Sequence, residues 1–306
     1  MKHTVTVQIS EGLGNQLFMY ANAYAFSKKY NKELLIDNTS GYFRRKNKLR
    51  GQKYFLDHFN IDNSFAPKNL RFDTSYKRLK KKLLIKIDKL KTKKSFLIES
   101  LLSESNDTDT NYFNNINFSD NVFLNGNFEN QFYFKDYKEE LINLFSVKKH
   151  FIKNNQILIN QMNNSNSVSI HVRQNRFSDQ NLVKNRELNI QKSSEFTKKT
   201  LSYIDRSINF FNSKFENITF FVWSNNFDNL EQFFSKYDNN FIFIKGNDAI
   251  NDFNLFKYSK HFIVGPSTYH WWGSWLNTNK GKISTRPKNI NPSNNKNFWP
   301  DEWIQI

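Results

Sequence analysis

The hydrophobic pattern at the N-terminus predicts a strand, a glycine turn and a helix in succession. Val5, Val7 and Ile9 alternate with polar residues, which is the period of a β-strand. Residues 12–16 read Gly-Leu-Gly-Asn-Gln, and apolar residues then recur at helical spacing over residues 17–28. In α/β proteins a turn of this kind brings backbone N–H groups close to a phosphate. The turn is therefore a candidate binding site.

A second predicted strand at residues 34–37 ends in an acid, Asp37. Strand, glycine turn, helix and an acid-ended strand are together typical of a dinucleotide-binding unit, with the acid on the ribose. The glycine motif of dinucleotide-binding units needs a third glycine, however, and Leu17 stands at that position. The mismatch disfavours an NAD-type site.

The other clear alternation lies at residues 167–173, Ser-Val-Ser-Ile-His-Val-Arg. It predicts a strand whose last polar residues, His171 and Arg173, project side by side from one face. In an open α/β sheet the ligand lies beyond the carboxyl ends of the strands. A guanidinium group there suits phosphate oxygens. The alternative is a surface strand end with two solvated polar side chains.

The rest of the second half repeats the alternation of strands and helices, after a predicted domain boundary near residue 150. Strands predicted at residues 218–222 and 261–264 both end in polar residues, and Asp252 is predicted to cap the start of a helix. A helix start attracts an anion by about 0.3–1 kcal/mol, and a bond from an arginine adds ~1.5–3 kcal/mol. The polar residues at these strand ends are Ser224, Asn225, Asn226, Ser267 and Thr268.

Residues 76–94 contain the densest run of positive charge. Leu79, Leu83, Ile87 and Leu90 fall on one stripe of the helix predicted there, and lysines surround the stripe. Such a helix suits the surface of an anionic bilayer or a polyanionic substrate. The alternative is an ordinary solvated helix that packs its stripe on the core.

The composition describes a globular protein without cysteine chemistry. The chain has 306 residues, enough for one large domain or two ordinary ones, and its 32 Phe and 13 Tyr supply a core. The absence of Cys excludes disulfides, thiol nucleophiles and cysteine metal sites. The six His residues show no metal-binding spacing, so no metal is expected.

The net charge of +17 favours an acidic partner, which is a nucleic acid, an anionic membrane or a phosphorylated substrate. Heavy use of Asn, Lys, Phe and Ile also fits drift in an AT-rich genome, which weakens this inference. The cations concentrate at residues 44–94 without a recognisable nucleic-acid motif. Because the sequence shows no signal peptide and no long apolar run, we expect a cytoplasmic protein.

Four segments together resemble the α-1,2-fucosyltransferases of glycosyltransferase family 11. They are residues 12–18, the strand with His171 and Arg173, residues 223–225, and residues 267–276, Ser-Thr-Tyr-His-Trp-Trp-Gly-Ser-Trp-Leu. The resemblance extends from near Val5 almost to the C-terminus, with a poor match at about residues 60–120. It implies an α/β fold of GT-B type, with two Rossmann-like domains facing across a cleft. Residues 1–150 would form the acceptor-side domain and residues 151–306 the domain that binds GDP-fucose.

The resemblance also implies an inverting enzyme that uses GDP-fucose and neither a metal nor another cofactor. Arg173 would lie at the diphosphate, His171 near the donor, and Asn15 would reach the donor from the first domain. We regard Arg173 and His171 as the catalytic candidates. The donor-binding candidates are Gly14, Asn15, Ser224, Asn225, Asn226, Asp252, Ser267 and Thr268.

The chain departs from the family pattern at two places. Arg176 stands where an Asp is usual, and Asp179 is close enough in sequence to replace that Asp. Asn225 and Asn226 replace an acidic pair. No catalytic base can be selected from the sequence, and the candidates are Asp179, Glu129, His270 and Asp37.

The predicted function is transfer of fucose from GDP-fucose to a galactoside hydroxyl of a bacterial surface glycan, in α-1,2 linkage. The acceptor would be a lipid-linked precursor such as that of lipopolysaccharide, and residues 76–94 would hold the enzyme at the inner membrane. One alternative is a GT-B transferase with another sugar-nucleotide donor or another linkage. A second alternative is a basic nucleic-acid-binding protein, although we expect no nucleic acid partner.

Overall fold

The computed structural model of the chain describes residues 3–42, 53–99, 116–178 and 186–306. The chain divides into two compact units. The N-terminal unit comprises Met1–Ser146 and Ser293–Phe298, and the C-terminal unit comprises Val147–Pro292 and Trp299–Ile306. The division after Ser146 lies close to the boundary predicted near residue 150. The predicted second domain is not continuous, however, because Ser293–Phe298 belongs to the N-terminal unit.

The N-terminal unit contains a parallel sheet in the order β2-β1-β4-β3. The strands are β1 (Thr4–Gln8), β2 (Glu33–Asp37), β3 (Lys94–Ile98) and β4 (Phe118–Asn125). Its α-helices in the described residues are α1 (Leu13–Lys29), α2 (Ser75–Asp88) and α3 (Lys138–Leu144). The strand, glycine turn and helix predicted at the N-terminus are thereby confirmed, and so is the strand that ends at Asp37.

The C-terminal unit contains a parallel sheet in the order β10-β9-β8-β5-β6-β7. Its strands are β5 (Asn166–Val172), β6 (Ile218–Ser224), β7 (Asn240–Phe243), β8 (His261–Ile263), β9 (Ser284–Arg286) and β10 (Ile304–Gln305). Its helices are α4 (Gln156–Asn163), α5 (Arg186–Asn212), α6 (Leu230–Phe234), α7 (Ala249–Phe256) and α8 (Thr268–Leu276). Counted from β5 as the first strand, this is the doubly wound dinucleotide-binding order, and the order reverses between β5 and β8.

Alternation along β5 divides its side chains between two faces, as the sequence predicts. Val168, Ile170 and Val172 are fully buried and pack with residues of α5 such as Tyr203 and Ile204. A parallel sheet of this kind is covered on both faces, so Ser169 and His171, on the other face, are buried as well. The predicted strand end therefore lies inside the domain rather than in solvent.

The boundaries of several elements differ from the predictions for physical reasons. The helix predicted over residues 76–94 ends at Asp88, and Lys94 donates from Nζ to the carbonyl groups of Asp88, Lys89 and Lys91 at the helix end. Strand β3 then begins at Lys94. Strands β3, β9 and β10 were not predicted, because short strands lack enough residues to show a period.

The predicted cap of α7 is wrong by one turn. Asp248 is the N-cap, and its carboxylate accepts hydrogen bonds from the backbone N–H groups of Ile250 and Asn251 at 3.1 and 2.9 Å. Asp252 therefore lies inside the first turn of the helix. Within the described ranges, no helix combines the length and the apolar character that a membrane crossing needs.

Helix α8 packs against α7 through a glycine, and three of its own tryptophans are buried. Trp271, Trp272 and Trp275 are buried, and the ring centroid of Trp271 lies 5.6 Å from that of Trp303. A Cβ atom placed on Gly273 would lie 2.5 Å from Cδ2 of Phe256. Helix α8 therefore keeps a residue of low helix propensity, because the two helices approach closely there.

We expect Gly273→Ala to lower the free energy of unfolding by ~1–3 kcal/mol, because the added methyl group overpacks against Phe256. On an unobstructed helix the same change raises the stability by about 1 kcal/mol, so the sign of the change in the free energy of unfolding tests the contact. Urea denaturation provides the measurement. In a Phe256→Leu background the penalty should shrink, and equal penalties in both backgrounds would contradict this packing.

Candidate active site

The order of the C-terminal sheet locates a crevice between the carboxyl ends of β5 and β8, where ligands of doubly wound sheets bind. The two ends approach closely, because a Cβ atom on Gly265 would lie 2.0 Å from the carbonyl oxygen of His171. Only glycine allows this contact. The structure therefore brings together two of the predicted strand ends, namely the one with His171 and Arg173 and the one with Ser267 and Thr268.

Ser267 connects the two ends through its hydroxyl group. It is the N-cap of α8, where Oγ accepts from the backbone N–H of His270 at 3.2 Å. The same Oγ lies 3.4 Å from Nδ1 of His171. Thr268 is the first residue of α8. The helix N-terminus thus faces the crevice edge, with a positive dipole end and a hydroxyl group next to the His171 ring.

His270 holds this arrangement from inside the protein. Its Nδ1 accepts from the backbone N–H of Gly265 at 3.1 Å, and its Nε2 lies 2.8 Å from Oγ of Ser169. Because Nδ1 accepts, the ring proton lies on Nε2 and is donated to Ser169. Burial, with a further effect of His171, lowers the pKa of His270 well below its ordinary value. Its fully engaged, buried ring does not fit the role of a catalytic base, and His270 positions the turn instead.

His171 is also neutral at physiological pH. Burial and the neighbouring guanidinium group of Arg173 lower its pKa to about 3. The ring therefore acts by hydrogen bonding and not as a cation. Arg173, one residue beyond the end of β5, is half-buried. The positive charge at this strand end consequently comes from arginine, namely Arg173 and, three residues further on, Arg176.

The backbone around Arg173 is fixed by residues after β6. The Asn225 side chain accepts from the backbone N–H of Gln174 at 2.8 Å and donates to the Gln174 carbonyl at 2.9 Å. Ser224 donates from Oγ to the carbonyl of Val172 at 2.9 Å. Two residues predicted to bind the donor thus make these bonds with the protein and hold the segment that carries Arg173.

Asn226 belongs to the same support. Its side chain bonds to Asp228, through Oδ1 to the backbone N–H and through Nδ2 to the carboxylate, both at 2.8 Å. Gln174 donates from Nε2 to the carbonyl of Asn226 at 2.7 Å. Sequence reasoning missed Gln174, although an amide residue directly after the predicted arginine is a signal for such support.

Arg176, at the position where the family has Asp, also connects the two strand ends. Its Nη1 donates to the carbonyl of Pro266 at 3.0 Å, and its Nη2 donates to the carbonyl of Pro292 at 2.8 Å. The guanidinium carbon lies 5.0 Å from the ring centroid of Phe196. The substitution therefore replaces an acid by a cation that binds carbonyl oxygens. Asp179, the proposed replacement for the acid and a candidate base, lies outside the described residues.

Asp252 lies at the carboxyl edge of the same sheet, in the first turn of the helix that follows β7. Burial raises its pKa to about 6. The side chains of Asn247 and Trp223 lie close enough to the carboxylate to oppose this shift by hydrogen bonding, although Oδ1 makes no bond of full geometry in the described part of the chain. An acceptor oxygen with incomplete hydrogen bonding is costly in a native fold, so a ligand whose N–H groups reached this carboxylate would be stabilised.

In the N-terminal unit, the predicted glycine turn is held by residues at both of its ends. Nδ2 of Asn15 donates to the carboxylate of Glu11. Gln16 donates from Nε2 to the carbonyls of Glu11 at 2.9 Å and Lys53 at 2.7 Å, and its Oε1 accepts from the backbone N–H of Phe55 at 2.9 Å. Gln16 was not a predicted site residue, although it belongs to the same motif. Gly14 is buried in the first turn of α1.

Glu129 is buried in the segment that follows β4, at the carboxyl end of the N-terminal sheet. Its neighbours Asn127 and Phe128 donate from their backbone N–H groups to the carboxylate of Glu99. The described residues contain no group of three or more His, Asp and Glu side chains that could hold a metal ion. The expectation of a metal-free reaction stays a prediction.

Comparisons with known proteins agree with the sequence resemblance. An α-1,2-colitosyltransferase from Escherichia coli is 28% identical over 99% of this chain and 98% of its own length. An O-antigen biosynthesis glycosyltransferase from Escherichia coli, WbnK, is 23% identical over 97% of this chain and 99% of its own length.

Solved structures show the same fold. The α-1,6-fucosyltransferase NodZ, solved after soaking with GDP-fucose, is 13% identical to this chain and has a TM-score of 0.52. The likeness covers 90% of this chain and 93% of that chain. A further structure of NodZ, from Bradyrhizobium, gives a TM-score of 0.54 at 13% identity, over 90% of this chain and 94% of that chain. The predicted fold class, α/β of GT-B type with two Rossmann-like units, is thereby confirmed.

The family model described as Glycosyl transferase family 11 matches residues 4–306. Four separate motifs carried the resemblance in the sequence, and the match extends over the regions between them as well. The protein is therefore a glycosyltransferase that belongs to glycosyltransferase family 11.

Proposed function

We propose that the protein transfers fucose from GDP-fucose to a galactoside hydroxyl in α-1,2 linkage, with inversion at the anomeric carbon. The observation that carries the proposal is the crevice between β5 and β8, where the His171 ring meets the Ser267 cap and Arg173 lies close enough to lower the pKa of His171. A guanidinium group next to a helix N-terminus suits a diphosphate. The structural likeness to the fucosyltransferase NodZ and the family motifs support fucose as the sugar.

In the proposed reaction the acceptor oxygen attacks the anomeric carbon of fucose, and the bond from that carbon to the diphosphate oxygen breaks. The electron pair of this bond leaves with GDP, so negative charge develops on the diphosphate. Arg173 stabilises that charge more in the transition state than in the ground state. The hydroxyl proton passes to solvent or to a carboxylate, and Glu129, Asp179 and Asp37 stay the candidates.

The base of the donor is proposed to bind at Asp252. Guanine presents an N–H and an NH2 group on one edge, and an ionised carboxylate accepts from both. This pairing would complete the hydrogen bonding of Oδ1, in addition to the Asn247 and Trp223 side chains next to the carboxylate. A uracil base offers one N–H group between two carbonyls, so Asp252 favours a guanosine donor. The donor contacts predicted for Gly14, Asn15, Ser267 and Thr268 belong to the same proposal.

The proposed acceptor is a lipid-linked precursor of a bacterial surface glycan, and the proposed location is the cytoplasmic face of the inner membrane. The name of the O-antigen relative supports this class of acceptor. The name of the colitosyltransferase relative supports a rival donor, the nucleotide of colitose, with the same α-1,2 linkage. Turnover of GDP-fucose and GDP-colitose with one β-galactoside, with the linkage determined by NMR, separates the two.

Arg173→Ala should lower kcat by about 10²–10³, the effect of removing one preorganised electrostatic donor. Arg173→Lys should also be impaired, because an ammonium group cannot reproduce the planar fork of a guanidinium. Release of GDP measures the rate. Arg206→Ala is the matched control, since Arg206 is an exposed arginine of α5 that bonds to Ser202. Near wild-type turnover of Arg173→Ala would contradict the assigned role.

The affinity for GDP-fucose should fall as the pH decreases through the pKa of Asp252, about 6. Protonation removes the acceptor for the guanine N–H groups, and the loss approaches about tenfold for each pH unit below the pKa. The diphosphate of GDP-fucose is esterified at both ends and does not titrate in this range. Isothermal titration calorimetry measures the dissociation constant.

Asp252→Asn should bind GDP-fucose about 10–100-fold more weakly than the wild type near neutral pH, the effect of losing a charged hydrogen-bond acceptor. The affinity of this variant should not change with pH between about 5 and 7. A wild-type affinity without pH dependence, or an equal pH dependence in the variant, would show that Asp252 does not bind the base.

We expect full activity after removal of divalent ions with EDTA, because the cationic groups proposed at the diphosphate come from the protein itself. Transfer rates before and after dialysis against the chelator provide the measurement. A rate that collapses in EDTA and recovers with Mg²⁺ or Mn²⁺ would assign the charge stabilisation to a metal instead.

A further inference from the structure

Helix α2 in the N-terminal unit packs with a polar side toward the protein. Lys81 donates from Nζ to Oε1 of Gln8 at 3.0 Å and to Oδ1 of Asn125 at 3.1 Å. These acceptors are the last residues of the adjacent strands β1 and β4. The ammonium group also lies 4.3 Å from the ring centroid of Phe123, and burial lowers its pKa to about 8. Lys81 is therefore an internal anchor of the helix.

Two turns further along, Asp88 anchors the same side of the helix. It is buried, and its carboxylate accepts from the backbone N–H groups of Ser95 at 2.9 Å and Phe96 at 3.1 Å. A buried charge with specific partners fixes a helix in one rotational setting, because turning the helix would leave the charge unpaired.

This setting leaves the apolar stripe of the helix on the outside. Leu79 is 69% exposed, Leu83 59%, Ile87 43% and Leu90 89%. The simpler of the two sequence interpretations, a stripe packed on the core, is therefore wrong. Large apolar side chains gathered on one exposed face indicate an interaction surface.

Exposed lysines lie on the helix beside the stripe and in the segment directly after the helix. They are Lys80, Lys82, Lys86, Lys89, Lys91 and Lys93. None of them forms an ion pair within the described part of the chain. Their charge is thus available to a partner, and the partner must combine an apolar layer with a row of anionic groups.

We propose that this α2 surface, defined as the four apolar residues of the stripe with these six lysines, docks on an anionic lipid bilayer. The helix lies in the plane of the membrane, with its leucines at the boundary of the acyl chains and its lysines at the phosphate groups. With 14 residues it is too short to span a bilayer. The proposal extends the proposed function, since the acceptor there is lipid-linked and the N-terminal unit is its predicted acceptor side.

Other occupants fit the surface less well. A second copy of the chain placed on it by two-fold symmetry would bring the two rows of lysines together, and like charges repel. A nucleic acid would neutralise the lysines but would leave the leucines between them in contact with phosphates. A bilayer supplies the apolar and the anionic layer in the required order.

The test is flotation of the purified protein with vesicles of phosphatidylcholine, with and without phosphatidylglycerol. We expect binding only to the vesicles that contain the anionic lipid. The combined variant Lys80→Gln, Lys82→Gln, Lys86→Gln should bind about 100-fold more weakly, at about fivefold per lysine. Lys81 is left intact, because its role is internal.

The combined variant Leu79→Ser, Leu83→Ser, Ile87→Ser should bind at least about tenfold more weakly and should lose the part of the binding that survives high salt. The matched control is Lys192→Gln, Lys198→Gln, Ile157→Ser, which changes exposed residues of α4 and α5 and should bind like the wild type. Turnover with a soluble galactoside should be unchanged in all three variants, so the docking and the proposed transfer activity can fail independently.

Three outcomes would overturn the proposal. Equal flotation of the control and the two α2 variants would place the lipid contact elsewhere. Loss of binding only in the lysine variant would indicate a polyanion site without insertion into the bilayer. A wild-type dimer that dissociates in the leucine variant without lipid, measured by analytical ultracentrifugation, would assign the surface to a second copy.

Discussion

The contact between the turn after β8 and the end of β5 is the constraint on which the C-terminal site depends. Gly265 approaches the carbonyl of His171 so closely that no Cβ atom fits, and the buried ring of His270 holds the turn through one bond on each ring nitrogen. These bonds require an uncharged His270 with one defined tautomer. Burial supplies that state, since it lowers the pKa of the ring.

The same burial determines where positive charge can lie in the crevice. His171 is neutral, with a pKa of about 3, so the charge at that strand end is carried by Arg173 and by Arg176, whose guanidinium binds the carbonyls of Pro266 and Pro292. The segment of Arg173 is fixed by Ser224 and Asn225, which bond to the backbone on either side of it. A fixed backbone of this kind limits the reorganisation that Arg173 would need when a leaving group develops negative charge, and preorganised charge accounts for large electrostatic effects in enzymes.

The sequence predicted the parts of the fold that carry a strong period. The alternation in β1 and β5, the glycine turn and the motif of α8 located both sheets and the crevice between two strand ends. The sequence could not show which groups the polar residues bind, because a polar residue at a strand end bonds equally well to a ligand or to a neighbouring loop. Asn225, Asn226 and Arg176 bond to loops in the structure, and β9 and β10 are too short to show a period.

Helix α2 shows that hydrophobic periodicity cannot predict which face of a helix is buried. The period places Leu79, Leu83 and Ile87 on one side of the helix, but it contains no information about which side faces the protein. That choice depends on Lys81, whose ammonium group has two amide acceptors at the strand ends and an aromatic ring beneath it. The bonds of Lys81 and of the buried Asp88 thus decide which side of the helix faces the protein, and in the docking that we propose a bilayer buries the leucines that this choice exposes.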